Sequence, residues 1–348
     1  MSEIRALNYS LIAIEQLKGY ATYIEEMGFK NDARVHRTLA KMLKAATKFI
    51  LPNKGELLDM RMDDTVLDSM ILPFPCIALE MQYQDEGELY LPEKIEGIGE
   101  CAATKRIALC WESGETNVWF PDLNEFASQF PAGGVFITSI YGSEAKSYNG
   151  FMWHFIGGCR FVPHELYELP SDNGSVALRL KEMEDLIHKR DGGKETMEIP
   201  STVLQMLDES IAHNQKVKKI ETDDITAALM IDTGSEMSSL LQMCAVLNCA
   251  NVEIESLAPS KMMNRIRRSN GKQELFEYKI LTLSSERKAR IDISKGGAHA
   301  SPRQHLRRAH RRILPTKTIL VRSAVVGNPE HGKIDKSYRV IGEKPLID

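Results

Sequence analysis

The sequence predicts an α+β fold: an N-terminal helical hairpin with an antiparallel sheet, then central helices, then a basic, β-rich C-terminal region. Three observations lead there. Apolar residues recur at helical spacing from residue 7 to about residue 49. Short apolar runs separated by Gly, Asn and Asp then follow one another to residue 162, in a series rather than in alternation with helices. Positive charge collects after residue 260.

In chain order, Leu11, Ile14, Leu17, Tyr20 and Ala21 form one helical stripe, and Val35, Leu39, Met42, Leu43 and Ala46 form a second. Gly28-Phe29-Lys30-Asn31-Asp32 breaks between them, and the hairpin is expected to end before Pro52. Asp63-Asp64 reads as a short helix start, and residues 71–81 as a buried strand entered through prolines. Runs at 106–111, 118–120, 134–141 and 151–162 supply further strands. Residues 178–189 and 201–215 have amphipathic helical spacing on either side of Asp191-Gly192-Gly193-Lys194, a flexible stop. Residues 223–249 are apolar on most sides and read as one kinked helix or two, because Thr233-Gly234-Ser235 interrupts them; their methionines read as core packing. A short strand at 251–255, a polar stretch at 261–272, an alternating strand at 276–283 and a loop at 296–302 follow. The expected organisation is an α+β recognition domain at 1–170, a helical region at 171–260 and the basic β-rich region at 261–348.

Composition narrows the class of function. Six cysteines sit mostly in apolar runs and none has CxxC spacing, so they are expected to be free buried thiols rather than a zinc site or redox pair. The first residues lack a basic stretch followed by an apolar run, and no segment approaches the length of a membrane span. The expected location is therefore the cytoplasm, with no membrane partner. The net charge of −4 conceals a division. Residues 261–323 hold 17 Lys and Arg against 4 Asp and Glu, whereas residues 1–260 hold 23 against 40. Such asymmetry points to a polyanion partner for the basic segment, or to docking of that segment on the acidic part of the same or another chain. Oligomeric state is left open.

The densest charge lies between residues 301 and 323: Arg303, His305, Arg307, Arg308, His310, Arg311, Arg312, Lys317 and Arg322. Arg265, Arg267 and Arg268 precede it. As a helix, Arg307 would stack on Arg311 and Arg308 on Arg312; as a strand, Arg303, His305 and Arg307 would share a face. Pro302 and Pro315 favour strands, with a turn at Leu314-Pro315-Thr316-Lys317. The planar guanidinium fork suits phosphate oxygens and stacks on bases, which makes nucleic acid, RNA first, the expected ligand. An alternative makes His305 or His310 the general base of a metal-independent ribonuclease, since neighbouring arginines would keep the imidazole neutral. Glu286 and Asp292 are isolated, so no metal is expected, and no motif calls for a cofactor. Gly133-Gly134 and Gly157-Gly158 lack the residues of a phosphate-binding loop. His154 and His164 read as core or turn residues; Trp111, Trp119 and Trp153 as packing for the sheet, or one of them as an exposed peptide-binding anchor; and Glu80, Asp85, Glu86 and Glu88 as a solvated edge, or as a surface that repels nucleic acid or receives a basic partner.

Residues 241–252 (LQMCAVLNCANV), 276–281 (FEYKIL), 299–312 (HASPRQHLRRAHRR) and 325–329 (VVGNP) resemble a widespread family of uncharacterised phage and prophage proteins. That family looks related to the type V-A anti-CRISPR protein that lowers production of its target nuclease. The resemblance covers about the last 110 residues and extends to Leu72-Pro73-Phe74-Pro75. Ala309 stands where the family usually has glycine in an Arg-Arg-Gly-His step. It implies an anti-defence protein in the cytoplasm of a bacterial host that recognises a host defence protein or its nascent peptide. Contact with RNA or the ribosome through the basic region would then lower expression of the target.

Overall fold

The computed structural model describes residues 5–58, 70–83, 103–114, 119–143, 150–164, 201–218, 222–283, 303–307, 310–321, 324–326 and 328–333. Two helices open the chain, α1 (Tyr9–Glu26) and α2 (Lys30–Ala45). They pair as the predicted hairpin, and Gly28, at φ 98°, makes the turn that an L side chain would resist. The α1 N-terminus has no side-chain cap of its own. The carboxylate of Glu80 accepts hydrogen bonds from Tyr9 N at 2.9 Å and Ser10 N at 2.8 Å instead.

The strands are β1 (Thr47–Ile50), β2 (Cys76–Gln82), β3 (Ala103–Glu112), β4 (Gly134–Ser143), β5 (Trp153–Phe155), β6 (Gly158–Pro163), β7 (Thr202–Gln205), β8 (Val252–Leu257) and β9 (Tyr278–Leu283). They form one sheet in the order β7-β6-β4-β3-β2-β1-β9-β8, with β5 also paired to β4. It draws strands from all three stretches that composition delimits. The fold is α+β, and the sheet is mixed rather than wholly antiparallel: β1 runs parallel to both β2 and β9. The helix predicted to reach residue 49 stops at Ala45, because Phe49 is better buried in the sheet and the neighbours that bury it come from far along the chain.

Alternation along the central strands builds two cores. Ile107, Leu109 and Trp111 of β3 meet the N-terminal hairpin on one face. Ala108 and Cys110 meet a long helix on the other. The short α3 (Pro121–Ala127) and α4 (Asp208–Lys218) precede that helix, α5 (Thr222–Leu247), whose Met237, Leu240, Leu241, Met243 and Cys244 fill the second core. The result is three layers, with the helical pair and α5 on opposite faces of the sheet.

Several expectations change at this level. Residues 233–235 do not divide α5; Thr233 Oγ1 donates to Leu229 O at 2.6 Å within a continuous helix. The stretch 201–215 splits into β7 and α4, because Thr202 and Val203 pair with β6. Phe120 leads into α3, with Pro121 in its first turn, rather than ending a strand. The polar stretch at 261–272 contains α6 (Lys261–Ser269). Glu80 is fully buried rather than part of a solvated edge. The helices expected at Asp63-Asp64 and 178–189, and the loop at 296–302, lie outside the described residues, as do Asp85, Glu86 and Glu88.

Beyond β9 the chain forms β10 (Arg303–Arg307), β11 (His310–Leu314), β12 (Lys317–Val321), β13 (Ala324–Val326) and β14 (Asn328–Lys333). A three-stranded sheet in the order β13-β10-β14 and a two-stranded β11–β12 hairpin result.

Candidate nucleic-acid interface

Strand geometry, not the alternative of a helix with stacked arginines, is what the basic segment adopts over residues 303–307 and 310–314. The β11–β12 hairpin turns where Pro315 predicts: Leu314 faces Lys317 across a two-residue turn, and Arg312 faces Ile319. Arg312 is exposed and Ile313 is 64% exposed.

The hairpin is fastened by one residue outside it. The Asn251 carboxamide accepts from Leu320 N at 2.7 Å and donates to Leu320 O at 2.9 Å, imitating the edge of a neighbouring strand. Ala250 N adds a bond to Thr318 O at 2.8 Å. These anchors lie between the end of α5 and the start of β8, so the hairpin sits where the second core meets the sheet edge.

The predicted basic residues divide into groups. Arg303, His305 and Arg307 belong to β10, whose partners are β13 and β14. His310, Arg311 and Arg312 belong to β11, and Lys317 opens β12. Arg308 and Arg322 lie outside the described residues. Arg265, Arg267 and Arg268 are on α6, which follows the far end of β8 from the hairpin's anchor. The six residues of β8 span about 20 Å at a strand rise of about 3.4 Å per residue. Two of these arginines have local acceptors: Arg267 Nε donates to Gln273 O at 2.6 Å, and Arg268 makes a two-pronged contact with Glu274 at 2.7 and 3.0 Å. That contact raises the Arg268 pKa and lowers that of Glu274.

A second polar constellation, which sequence reasoning missed, lies between α5 and the sheet. Arg106 of β3 meets Glu236 of α5 at 3.0 Å, and Ser139 Oγ of β4 donates to the same carboxylate oxygen at 2.8 Å. Arg160 of β6 donates to Thr233 Oγ1 at 2.9 Å, to Ser201 Oγ at 3.0 Å and to Met230 O. The Tyr83 ring lies 4.5 Å from the Arg106 guanidinium, and its hydroxyl is 3.0 Å from Ser235 Oγ. Burial pushes Asp232 up to about 6 against the pull of Arg106, and pushes Arg160 down to about 10. Arg106 is raised: burial opposes its charge, but Glu236, Tyr83 and Asp232 outweigh that. The signal for this seam is an isolated charge inside an apolar run, as with Arg160 between Cys159 and Phe161. Its chemistry is that of a mutually neutralised interior contact joining layers.

The remaining candidates are structural. His164 Nε2 is 2.8 Å from Glu112 Oε2, while Glu112 Oε1 accepts from Leu72 N at 2.9 Å. Trp111 and Trp153 are buried in the first core, and Trp119 packs against it. Cys110, Cys159, Cys244 and Cys249 are buried free thiols and Cys76 is a half-buried one; Cys101 lies outside the described residues. Burial pushes Cys76 and Cys244 up to about 12, far from a reactive thiolate. Among the described residues no group of three or more His, Cys, Asp or Glu could hold a metal ion, and no helix is long and apolar enough to cross a membrane. No protein-family model, curated protein or solved structure matches the chain.

Proposed function

We propose that this chain is a phage-type anti-defence protein that binds RNA, free or on the ribosome, through its basic C-terminal strands. Through its acidic remainder it engages a host defence protein or that protein's nascent peptide, and it lowers expression of the target. The observation that carries the RNA half is the basic β-hairpin: residues 310–314 run extended, Arg312 stands in solvent, and Asn251 fixes the ribbon to the sheet edge. A fixed ribbon holds cationic side chains at defined spacing, which lowers the ordering cost of meeting a phosphate backbone. The excess of 17 Lys and Arg over 4 Asp and Glu across 261–323 supplies the long-range attraction. The expression-lowering half rests on the resemblance of the C-terminal segments.

RNA binding is best tested on the full chain, because β9 lies between β1 and β8 and a C-terminal fragment would lose its sheet partners. Each neutralised phosphate contributes about 0.7 to the log–log salt slope for single strands. Four or more strand arginines in contact with a single-stranded RNA should give a slope near 3 or steeper. Arg311→Glu with Arg312→Glu should lower it by about 1.4 or more. A slope near zero, or one indifferent to the double variant, would remove the RNA half. Loss of intact RNA in the presence of chelator, abolished by His305→Ala or His310→Ala, would favour the ribonuclease alternative.

A further inference from the structure

Helix α6 faces the wrong way for a helix that serves only its own fold. None of its nine residues is buried. Its large apolar side chains lie outward, with Met262 73%, Met263 49% and Ile266 45% exposed. Met262 and Ile266 are four apart and Met263 lies beside them, so the three make one stripe. Asn264 lies about 200° round the helix from both Met262 and Ile266, at about 100° per residue. That opposite side fastens the helix: Asn264 Oδ1 accepts from Leu275 N at 2.7 Å, and its amide donates to Leu275 O at 3.0 Å. Ser260 Oγ caps the N-terminus by accepting from Met263 N at 3.4 Å, and Gly271 at φ 66° closes the C-terminus. The helix is therefore set in place by its polar side, with its apolar side turned to solvent. Lys261 and Arg265, both exposed, flank the stripe on one side.

We propose that α6 is a docking site for an acidic amphipathic helix of a partner protein. The chemistry of the stripe selects that occupant. Met and Ile gain from burial against other apolar side chains, and methionines adapt to a facing surface. An i, i+4 ridge interdigitates with the ridges of one facing helix. Lys261 and Arg265 then meet carboxylates on the flank of that helix, which fixes its register more than it adds affinity. Nucleic acid fits less well, since α6 has no aromatic ring on which a base could stack and Arg268 is engaged by Glu274. A bilayer fits less well because three side chains in little more than one turn offer it little apolar area. This assignment is independent of RNA binding by the β11–β12 hairpin, which is anchored at Ala250 and Asn251, beyond the other end of β8.

The test uses the full chain and a fluorescein-labelled synthetic peptide of about 16 residues, long enough to form a helix, with Leu at i, i+3, i+4 and i+7 spacing and Glu between. Fluorescence anisotropy should show saturable binding that weakens with added salt. Binding should fall about tenfold or more in Ile266→Glu, and again in the pair Lys261→Glu with Arg265→Glu. Lys18→Glu, on the exposed side of α1, should leave it unchanged. Because Ile266 is exposed, thermal unfolding of its variants should match that of the parent, and Ile266→Ala provides a milder second reading. Three results would overturn the proposal: no saturable binding, equal binding by parent and α6 variants, or α6-dependent self-association in place of peptide binding. It is equally overturned if Ile266→Glu spares the peptide but abolishes binding to single-stranded RNA or to vesicles of about one part phosphatidylglycerol in four, the rest phosphatidylcholine.

Discussion

At the scale of single residues, buried polar groups are tied to partners remote in sequence. Glu80 accepts from the α1 N-terminus and from Tyr278 Oη at 2.8 Å, so one carboxylate of β2 joins the first helix to β9, far along the chain. Lys48 combines a local and a remote partner: its Nζ donates to Ala46 O at 2.6 Å, just past the end of α2, and lies 3.9 Å from the centre of the Phe276 ring. Burial pushes Lys48 down to about 8, partly opposed by Glu80. His164 carries a pH dependence whose sign follows from its partner. The hydrogen bond to Glu112 raises its pKa above the ordinary value, against the effect of burial. The stabilisation is therefore fully present below the unfolded value of about 6.5 and is lost as pH rises through the higher folded value. His164→Gln should accordingly lower Tm more at about pH 5 than at about pH 9, measured in thermal scans of both proteins. A constant difference across that range would mean that the imidazolium contributes nothing beyond packing.

At the scale of elements, α6 is capped by its own Ser260, but the N-termini of α1, α2 and α4 are capped by other elements. Asp32, at the start of α2, accepts from Ser210 N at 2.7 Å in the first turn of α4, while Glu209 of α4 accepts from Asn31 N at 2.8 Å in the first turn of α2. The two helices satisfy each other's orphan donors, and neither cap is visible from local spacing. The β11–β12 hairpin follows the same rule through Asn251. Replacing Asn251 by Ala removes two hydrogen bonds to Leu320 and should cost about 1–3 kcal/mol in docking of the hairpin. The measurement is amide hydrogen exchange: Leu320 should lose protection in Asn251→Ala while the central strand β3 keeps its own. Equal loss at both sites would mean that the hairpin and the sheet unfold together.

At the scale of the whole molecule, the sheet is held between two cores, and the α5 layer carries charge through its interior. Glu236 is fully buried against Arg106 and Ser139, so Glu236→Ala should cost about 3–5 kcal/mol by leaving the largely buried Arg106 without its ion-pair partner. Replacing Arg106 by Met and Glu236 by Leu together should recover most of that loss, as read by denaturant unfolding of the two variants. If the double variant is no more stable than Glu236→Ala, the seam stabilises through its wider hydrogen-bond network rather than through charge balance.

The sequence by itself determined the helical hairpin, most of the strands, the α+β class and the turn at Pro315, because periodicity, glycines and prolines act over a few residues. It also determined where positive charge gathers. Only the tertiary structure decided that Thr47–Ile50 is a parallel strand, that Glu80, Arg106, Arg160 and Glu236 are interior groups, and that α6 turns its methionines outward. Only there, too, are the arginines of α6 placed after the far end of β8 from the anchor of the basic hairpin. The reason is physical: the partners that bury a strand, neutralise a charge or cap a helix come from distant parts of the chain. Local spacing records a residue's preference but not the neighbour that satisfies it.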